Sequence, residues 1–303
     1  MNRITIGIPS FNEEQNIINL LRSISTCCLK EFTISEVIIS DDSLDNTPLL
    51  VDSYAKQSTF KIILLHHPHR RGVASAWNEI FEQATGDILI LYDADVILAD
   101  NSTYELASSV QGTVGLCASN PKPVNKIGLV GRASMFISRW LRLMRINGPS
   151  QYTVMGRALS INSDAAKKIK IPSDIIAVDL YLHCRVLEQK LEVIYNDNAV
   201  VYFIPPRSIL DFSSQVIRGF NGHKQIQSYV SHFKINLSPS VVFNKTIENL
   251  RIDPIGALSV LLCYLLIPFY RFQLPEVNSV KWHIARSTKA IDSDRSRSFD
   301  FFL

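Results

Sequence analysis

The sequence predicts an α/β protein with a mostly parallel, doubly wound sheet, helices on both faces and a helical, apolar C-terminal extension. Three observations support this prediction. Short apolar runs alternate with helix patterns through the first hundred residues, which is the order typical of parallel sheets. Hydrophobic residues make up 47% and charged residues 19% of the 303 residues, as in globular proteins. A run without charged residues covers positions 254–270.

Four strands are predicted in the first hundred residues, at positions 4–9, 36–40, 61–66 and 87–92. Each is a short apolar run of the kind that is buried on both faces of a sheet. Helices are predicted between them. Asn12 and Gln15 form a capping box ahead of the first helix. Thr47 caps the second, with a proline at its first position, and the third covers residues 73–84.

Composition excludes several classes of protein. The net charge of +3, from 31 basic and 28 acidic residues, is too small for a nucleic-acid-binding surface. Five cysteines without a CxxC pair predict neither a disulfide framework nor a zinc knuckle, and they favour a reducing cytosol. No apolar segment of signal-peptide type follows Met1, so we expect the N-terminal domain to face the cytoplasm.

Acidic residues follow three of the predicted strands. They are Glu13 after the first strand, Asp41 and Asp42 after the second, and Asp93 and Asp95 after the fourth. Ligands of doubly wound sheets bind outside the carboxyl ends of the strands, so we expect these carboxylates to share one cleft. Turn chemistry explains one such cluster. Three converging clusters repel one another unless a cation such as Mg²⁺ or Mn²⁺ neutralises them.

The usual phosphate-binding motifs are absent from the sequence. No GxGxxG follows the first strand, which disfavours a classical dinucleotide site, and no GxxxxGK[ST] occurs, which excludes a P-loop. The phosphates of a nucleotide would then be bound through a metal ion that is held by carboxylates.

Four segments together resemble the motifs of the family 2 glycosyltransferases. They are positions 9–13, 41–47, 72–78 and 86–95. The resemblance implies a GT-A nucleotide-diphospho-sugar transferase fold in residues 1–230, with a nucleotide-sugar-binding half at 1–100 and an acceptor half at 101–230. Residues 231–303 then form the helical extension, for which membrane association is one interpretation.

The resemblance also assigns roles to residues of the donor site. Those expected to bind the nucleotide sugar are Pro9, Phe11, Glu13, Asp41, Asp42, Arg71, Asp93 and Gly156. Asp93 and Asp95 match the DXD pair, and Asp95 is the stronger candidate for metal contact. His223 is a candidate for completing the metal shell. The second motif is one residue shorter than the common form of the family.

The acceptor half contains the expected catalytic residues. The segment around Asp179 resembles the ED motif, with Val178 in place of the glutamate, and Asp179 is the expected base. Gln215 and Arg218 resemble a QxxRW motif that has Gly219 in place of the tryptophan. We expect Arg218 to bind the leaving diphosphate. Taken alone, Asp179 would be a helix N-cap. A solvated helix face is the alternative for Arg218, and Gln215 three positions earlier disfavours it.

The resemblance implies an inverting, metal-dependent glycosyltransferase that moves one sugar from a nucleotide-diphospho-sugar to an acceptor hydroxyl. Family habit favours a UDP-sugar, and the expected acceptor is a saccharide or a lipid-linked precursor of the cell envelope. Gly219 and the single apolar run predict a non-processive enzyme. One alternative is a nucleotide-sugar- or lipid-binding module without catalysis. Another is a sugar nucleotidyltransferase, which residues 10–13 disfavour because they do not form a glycine-rich basic loop.

Two segments bear on membrane attachment. Residues 254–270 would span about 25 Å as a helix, slightly less than a bilayer core. They form either a buried core helix or a re-entrant or monotopic anchor. Residues 132–145 place four arginines on one side of a helix, which fits an interfacial helix or a surface helix packed on its own domain. Peripheral or monotopic contact would hold the enzyme at the cytoplasmic face of a membrane.

Overall fold

The structure, a computed structural model, describes residues 2–124 and 128–271. Residues 272–303 of the predicted extension lie outside the described residues. The elements follow one another as β1 (Arg3–Ser10), α1 (Ile17–Thr26), β2 (Thr33–Asp41), α2 (Thr47–Ala55), β3 (Ile62–His66), α3 (Val73–Gln83), β4 (Ile88–Tyr92), β5 (Val96–Leu98), α4 (Ser102–Ser109), β6 (Val114–Pro123), α5 (Gly128–Arg145), β7 (Ala158–Asn162), α6 (Ser163–Lys167), α7 (Val178–Glu188), β8 (Glu192–Phe203), α8 (Ile209–Gln225), α9 (Gln227–His232), α10 (Pro239–Ile252) and α11 (Pro254–Arg271).

These strands form one sheet with the order β3-β2-β1-β4-β7-β6-β8-β5. The strands β3, β2, β1 and β4 run parallel, as the sequence predicts, and β6 pairs in parallel with β8. In contrast, β7 runs antiparallel to β4 on one side and to β6 on the other, and β5 is antiparallel to β8. The direction of β7 matters for the site, because it brings the first residues of β7 to the carboxyl end of β4.

Helices cover both faces of the sheet because successive side chains of its strands point to opposite sides. In β4, Leu89 and Leu91 pack into a core with α3, α6 and α7. Ile90, between them, packs into a second core with α1, α2 and α4. The arrangement confirms the predicted doubly wound α/β class. It also explains why the central strands are short runs of apolar residues.

The four strands predicted in the first hundred residues are confirmed within three residues of their predicted bounds. The predicted capping box is wrong. Helix α1 begins only at Ile17, and Asn12 Oδ1 instead accepts a hydrogen bond from Leu44 N at 2.8 Å. The cap of α2 also differs, since Asn46 is the N-cap and Thr47 is the first helical residue. Asn12 and Thr47 both accept hydrogen bonds from the backbone of a neighbouring loop. The pattern of one helix does not reveal such contacts.

The arginine-rich helix α5 packs against the protein and does not present one basic side. Its apolar residues join a small core with α8 and α11. Arg139 pairs with Asp253 at 2.9 Å, and Arg142 pairs with Asp197. Arg145 is buried, with 4% of its surface exposed. These contacts favour a surface helix packed on its own domain over an interfacial helix, because most of the arginines are bonded within the protein.

Helix α11 contains the apolar run of the C-terminal extension. It turns the small residues Gly256, Ser259 and Cys263 toward the protein. Its large exposed side chains are Ile255, Leu258, Leu261, Leu262, Tyr264, Leu265 and Phe269. Among the described residues, 17% of the helix is buried, which does not support the interpretation as a buried core helix. By length and composition, α11 is the one helix in the described part of the chain that could cross a membrane.

Candidate active site

The loops that follow β1 and β2 are tied to each other by polar residues of the first two motifs. Asn12 N donates to Ser43 Oγ at 2.7 Å, and Glu13 N donates to Thr47 Oγ1 at 2.9 Å. Thr47 N in turn donates to Asp45 Oδ1 at 3.0 Å. Because both loops leave the same edge of the sheet, these hydrogen bonds set the shape of that edge.

Asp41 and Asp42 have different surroundings. The side chain of Asp41 is fully buried, and its Oδ2 lies 2.8 Å from His66 Nδ1 and accepts from Ser43 N at 3.3 Å. Asp42 accepts hydrogen bonds from the backbone N of Arg71 at 2.6 Å and from its Nε at 2.9 Å. The expected contact of Asp41 with the nucleotide is not supported, because its carboxylate is fully buried and bonded to His66 and Ser43. Asp42 anchors the loop that begins at Arg71.

Arg71 is engaged within the protein, whereas its neighbour Arg70 lies against an aromatic ring. Arg71 Nη2 lies 2.9 Å from Glu79 Oε2. Burial opposes the charge of Arg71, but hydrogen bonds to its carboxylate partners raise its pKa on balance. The guanidinium of Arg70 lies 4.5 Å from the ring centroid of Phe11, two residues after Pro9 at the end of β1. The structure therefore brings Phe11 to Arg70 and gives Arg71 a role in holding the loop.

Asp93 and Asp95 meet Arg157 at the carboxyl end of β4. Arg157 Nη1 lies 2.9 Å from both carboxylate oxygens of Asp95 and 4.0 Å from Asp93 Oδ2. The carbonyl of Arg157 accepts a hydrogen bond from Asp93 N at 2.8 Å, because β7 starts beside the end of β4. Its guanidinium lies 4.2 Å from the ring centroid of Phe203. Glu13 adds to the negative potential at Arg157.

The Asp93–Asp95 pair has the donor chemistry that Mg²⁺ or Mn²⁺ requires. Its ligands are hard carboxylate oxygens, and the guanidinium between them shows that the two side chains can share one cation. The residues therefore fit a divalent ion. His223 does not join them, and its ring instead lies 6.0 Å from the ring of Tyr152. Within residues 2–124 and 128–271, no three His, Cys, Asp or Glu side chains are grouped to hold a metal.

Asp179 lies in the first turn of α7, after the N-cap Ala177, so it is not itself the cap. Its Oδ2 accepts a hydrogen bond from Gly156 N at 2.8 Å. Gly156 directly precedes Arg157, and the contact therefore links the expected base to the residue that binds the DXD pair. The N-terminal turn of a helix also stabilises the negative charge of a carboxylate.

The buried Arg145 at the end of α5 holds the same loop from another side. Its Nε donates to the Tyr152 carbonyl at 3.0 Å, and its Nη2 donates to the Met155 carbonyl at 3.2 Å. Burial lowers the pKa of Arg145, and the negative charge of Asp179 opposes this effect. Arg145 thus positions the loop whose next residue, Gly156, binds the expected base.

Helix α8 is docked onto the start of α7. Gln225 Oε1 accepts a hydrogen bond from Ile176 N at 2.9 Å. Gly222 permits the close approach of the two elements, since a Cβ at this position would lie 2.8 Å from the Cβ of Ala177. This docking fixes the orientation of the earlier turns of α8, which contain Gln215 and Arg218.

Arg218 lies on α8 among the charges of the cleft. Burial and the nearby Arg157 lower its pKa, while the carboxylates of Asp93 and Asp179 raise it. Arg218 is half-buried and lies within electrostatic range of the expected base and the DXD pair, so it is not on an open, solvated helix face. Gln215 lies one turn earlier on the same helix and is half-buried.

Arg157, Arg145 and Trp77 belong to this site, although the sequence analysis gave none of them a role of its own. Trp77 lines a small cavity together with Gly156 and Arg157. Its indole Nε1 is buried without a hydrogen-bond partner among the described residues. The sequence signal for Arg157 is its place after Gly156 in the segment 155–158, which resembles the part of the family that approaches the donor sugar and the acceptor. Nothing in the spacing puts it opposite Asp95, because that contact depends on the direction of β7.

Comparison with known proteins agrees with this geometry. The model of the family described as Glycosyl transferase family 2 matches residues 5–168, more than half of the chain. The chain is 23% identical over 231 residues to a poly-beta-1,6-N-acetyl-D-glucosamine synthase of Staphylococcus epidermidis. This alignment covers 74% of the chain and 55% of the synthase, so the chain spans about half the length of that relative.

Solved structures share the fold. Mannosyltransferase PcManGT from Pyrobaculum calidifontis, in complex with GDP-Man and Mn²⁺, aligns with a TM-score of 0.59 at 18% identity, over 90% of this chain and 83% of that chain. Glucosyl-3-phosphoglycerate synthase from Mycobacterium tuberculosis, in complex with Mn²⁺, uridine-diphosphate and glucosyl-3-phosphoglycerate, aligns with a TM-score of 0.52 at 15% identity, over 76% and 80%. These neighbours establish the GT-A fold. The family match shows that this chain belongs to glycosyl transferase family 2.

Proposed function

We propose that this protein is an inverting, non-processive glycosyltransferase that moves one sugar from a nucleotide-diphospho-sugar to an acceptor hydroxyl. The link between Asp179 and the DXD pair supports this best. Gly156 N binds Asp179, and the next residue, Arg157, binds Asp95. A carboxylate base and positive charge for a diphosphate therefore share one cleft, as displacement at an anomeric carbon requires.

The reaction follows from these positions. The acceptor hydroxyl attacks the anomeric carbon while Asp179 takes its proton. A bond forms between the acceptor oxygen and that carbon, the bond from the carbon to the diphosphate oxygen breaks, and the configuration inverts in one displacement. The nucleoside diphosphate leaves with the bonding electron pair. Arg157 and Arg218 supply positive charge that stabilises it through charge-assisted hydrogen bonds.

Asp93 and Asp95 would hold a divalent cation, Mg²⁺ or Mn²⁺, in the loaded enzyme. When bound, the cation supplies Lewis-acid stabilisation of the leaving diphosphate. The side chain of Asp95 is 16% exposed and that of Asp93 is 40% exposed, so Asp95 is the firmer anchor and Asp93 is more open to the donor. Both solved neighbours described above contain Mn²⁺, which supports this assignment.

The donor site can be tested with purified protein. Thermal unfolding would be followed with UDP-glucose, UDP-N-acetylglucosamine and GDP-mannose, each with and without Mn²⁺. We favour a UDP-sugar and expect about 2.7 kcal/mol of stabilisation at a hundredfold excess over the dissociation constant. A metal-dependent shift followed by transfer with inverted anomeric configuration supports the proposal. The absence of a shift with every donor contradicts it, and binding without transfer indicates a module that has lost catalysis.

We further propose that α11 contacts the cytoplasmic leaflet and keeps the enzyme near a lipid-linked acceptor. Leu258, Leu261 and Leu265 lie at helical spacing and are 55–60% exposed. A continuous apolar surface of this kind is typical of membrane or protein contact. Arg271, at the end of α11, adds a positive charge suited to the headgroup region.

Cosedimentation with phosphatidylglycerol vesicles tests this contact. The double variant Leu261→Glu/Leu265→Glu should reduce the bound fraction, because it places two charges on the apolar face. Leu44→Glu is the matched control, since Leu44 is 75% exposed on the loop before α2. Equal vesicle binding by all three proteins would rule out α11 as the contact.

A further inference from the structure

Arg157 occupies the position of a counter-ion between the two DXD carboxylates. Its Nη1 lies 2.9 Å from both oxygens of Asp95 and 4.0 Å from Asp93 Oδ2. The side chain of Arg157 is 18% exposed and that of Asp95 is 16% exposed, so the pair is largely shielded from water. One guanidinium group therefore meets the negative charge that a divalent cation would otherwise meet.

The backbone of Arg157 and the aromatic ring of Phe203 hold the arginine in this position. Its φ of +74° lies in the left-handed region, which a non-glycine residue adopts at an energetic cost. Its carbonyl accepts the hydrogen bond from Asp93 N at 2.8 Å. Its guanidinium lies 4.2 Å from the ring centroid of Phe203. The left-handed backbone and these two contacts thus place this arginine beside the Asp93–Asp95 pair.

Arg157 Nη1 lies 2.9 Å from both oxygens of Asp95 and therefore occupies the place that a cation chelated by this carboxylate would take. A divalent cation can bind both oxygens of Asp95 only when the guanidinium leaves this place. A nucleoside diphosphate gives the guanidinium somewhere to go, because phosphate oxygens accept bidentate, charge-assisted hydrogen bonds from arginine. The exchange balances charge, since the metal joins the two carboxylates as the arginine joins the diphosphate.

We propose that Arg157 is an exchangeable counter-ion that closes the Asp93–Asp95 pair to divalent cations until a nucleoside diphosphate binds. The arriving diphosphate draws the guanidinium away and frees both carboxylates, so nucleotide and metal load together. This inference rests on the proposed function, because it takes the cleft to be a nucleoside diphosphate site. It gives a residue of the acceptor half a direct part in donor binding.

Mn²⁺ binding to the nucleotide-free protein tests this role, with free Mn²⁺ measured by electron paramagnetic resonance. The wild-type protein should bind Mn²⁺ tightly only when UDP or GDP is present. Arg157→Gln should bind Mn²⁺ without nucleotide at least about tenfold more tightly than wild type, an effect of the size of one hydrogen bond to a charged group. The double variant Arg157→Gln/Asp95→Asn should lose this gain, which assigns the gain to the pair.

Arg142→Gln is the matched control, because Arg142 pairs with Asp197 outside the cleft and should behave as wild type. Arg157→Lys retains the positive charge and should stay closed to Mn²⁺, which keeps the test decisive if Arg157→Gln does not fold. Tight Mn²⁺ binding by nucleotide-free wild type or Arg157→Lys overturns the proposal, as does a folded Arg157→Gln without a gain. Failure of UDP and GDP to bind wild type even with Mn²⁺ refutes the proposed function instead.

Discussion

The edge formed by the β1 and β2 loops and the edge formed by β4 and β7 use acidic residues in opposite ways. At the first edge, Asp41 is fully buried and its carboxylate is bonded to His66 and Ser43. At the second edge, the side chain of Asp93 is 40% exposed, and its Oδ2 lies 4.0 Å from Arg157 Nη1. Both edges follow strands and both carry motif residues. The place of a carboxylate in a motif therefore does not distinguish a residue that holds a loop from one that we propose takes part in the reaction. Its bonding partners and its exposure do.

The largest effect is expected from Asp179, which lies on the chemical side of this comparison. Asp179→Asn should lower kcat about 10²–10⁴-fold, because the acceptor hydroxyl loses its proton acceptor. The dissociation constant of the donor should stay within about twofold, since the change removes an interaction of the transition state. Steady-state kinetics and calorimetric titration of the donor would check both values. Asp174→Asn, on the exposed loop before α7, is the control, and a similar loss there would contradict the assignment.

Asp41 should show the opposite behaviour. Asp41→Asn should lower the free energy of unfolding by about 1–3 kcal/mol, because buried hydrogen-bond partners are left unsatisfied. Activity of the folded fraction should be nearly unchanged. Urea unfolding measures the first quantity, with the exposed Asp52→Asn on α2 as control. A loss of donor affinity at unchanged stability would show instead that Asp41 reaches the nucleotide and that the contrast between the two edges fails.

The smallest effect concerns pH and the ion pair behind the first edge. Burial opposes the charge of Glu79, but its hydrogen bonds to Arg71 and Ser40 lower its pKa below the ordinary value of 4.5. Because the folded-state pKa is the lower one, Glu79 stabilises the fold above the unfolded-state pKa. This contribution is lost as the pH falls through the folded-state pKa. It should amount to less than about 1 kcal/mol, as is usual for partly exposed pairs.

Urea unfolding at pH 7, 5, 4 and 3 would measure this contribution of Glu79 to the free energy of unfolding. Glu79→Gln should flatten the loss of stability below about pH 4.5, the unfolded reference value, relative to wild type. Glu82→Gln, exposed on the same helix, should leave the pH dependence unchanged. Parallel pH profiles for wild type and Glu79→Gln would mean that the pair holds the loop without contributing to stability.

Most of the first half of the fold could be predicted from local patterns. Strands that are covered on both faces are continuous apolar runs, so β1 and β4 are visible in the sequence. The strands of the second half are harder to predict from local patterns. Strand β8 mixes buried and half-buried positions without a regular period, and β7 is a strand of five residues that leads directly into α6. Their order in the sheet depends on contacts far apart in the chain.

The sequence by itself determined the α/β class, the family, and the presence of carboxylates after three of the first four strands, because these depend on residues close together in the chain. Only the tertiary structure decided which partner each charge meets. Arg157 and Asp95 are 62 positions apart, and they meet because β7 lies antiparallel beside β4. Arg145 is buried under the loop of Tyr152 although its helix has a basic pattern. Such pairings follow from the order and direction of strands and the docking of helices, which no local pattern encodes.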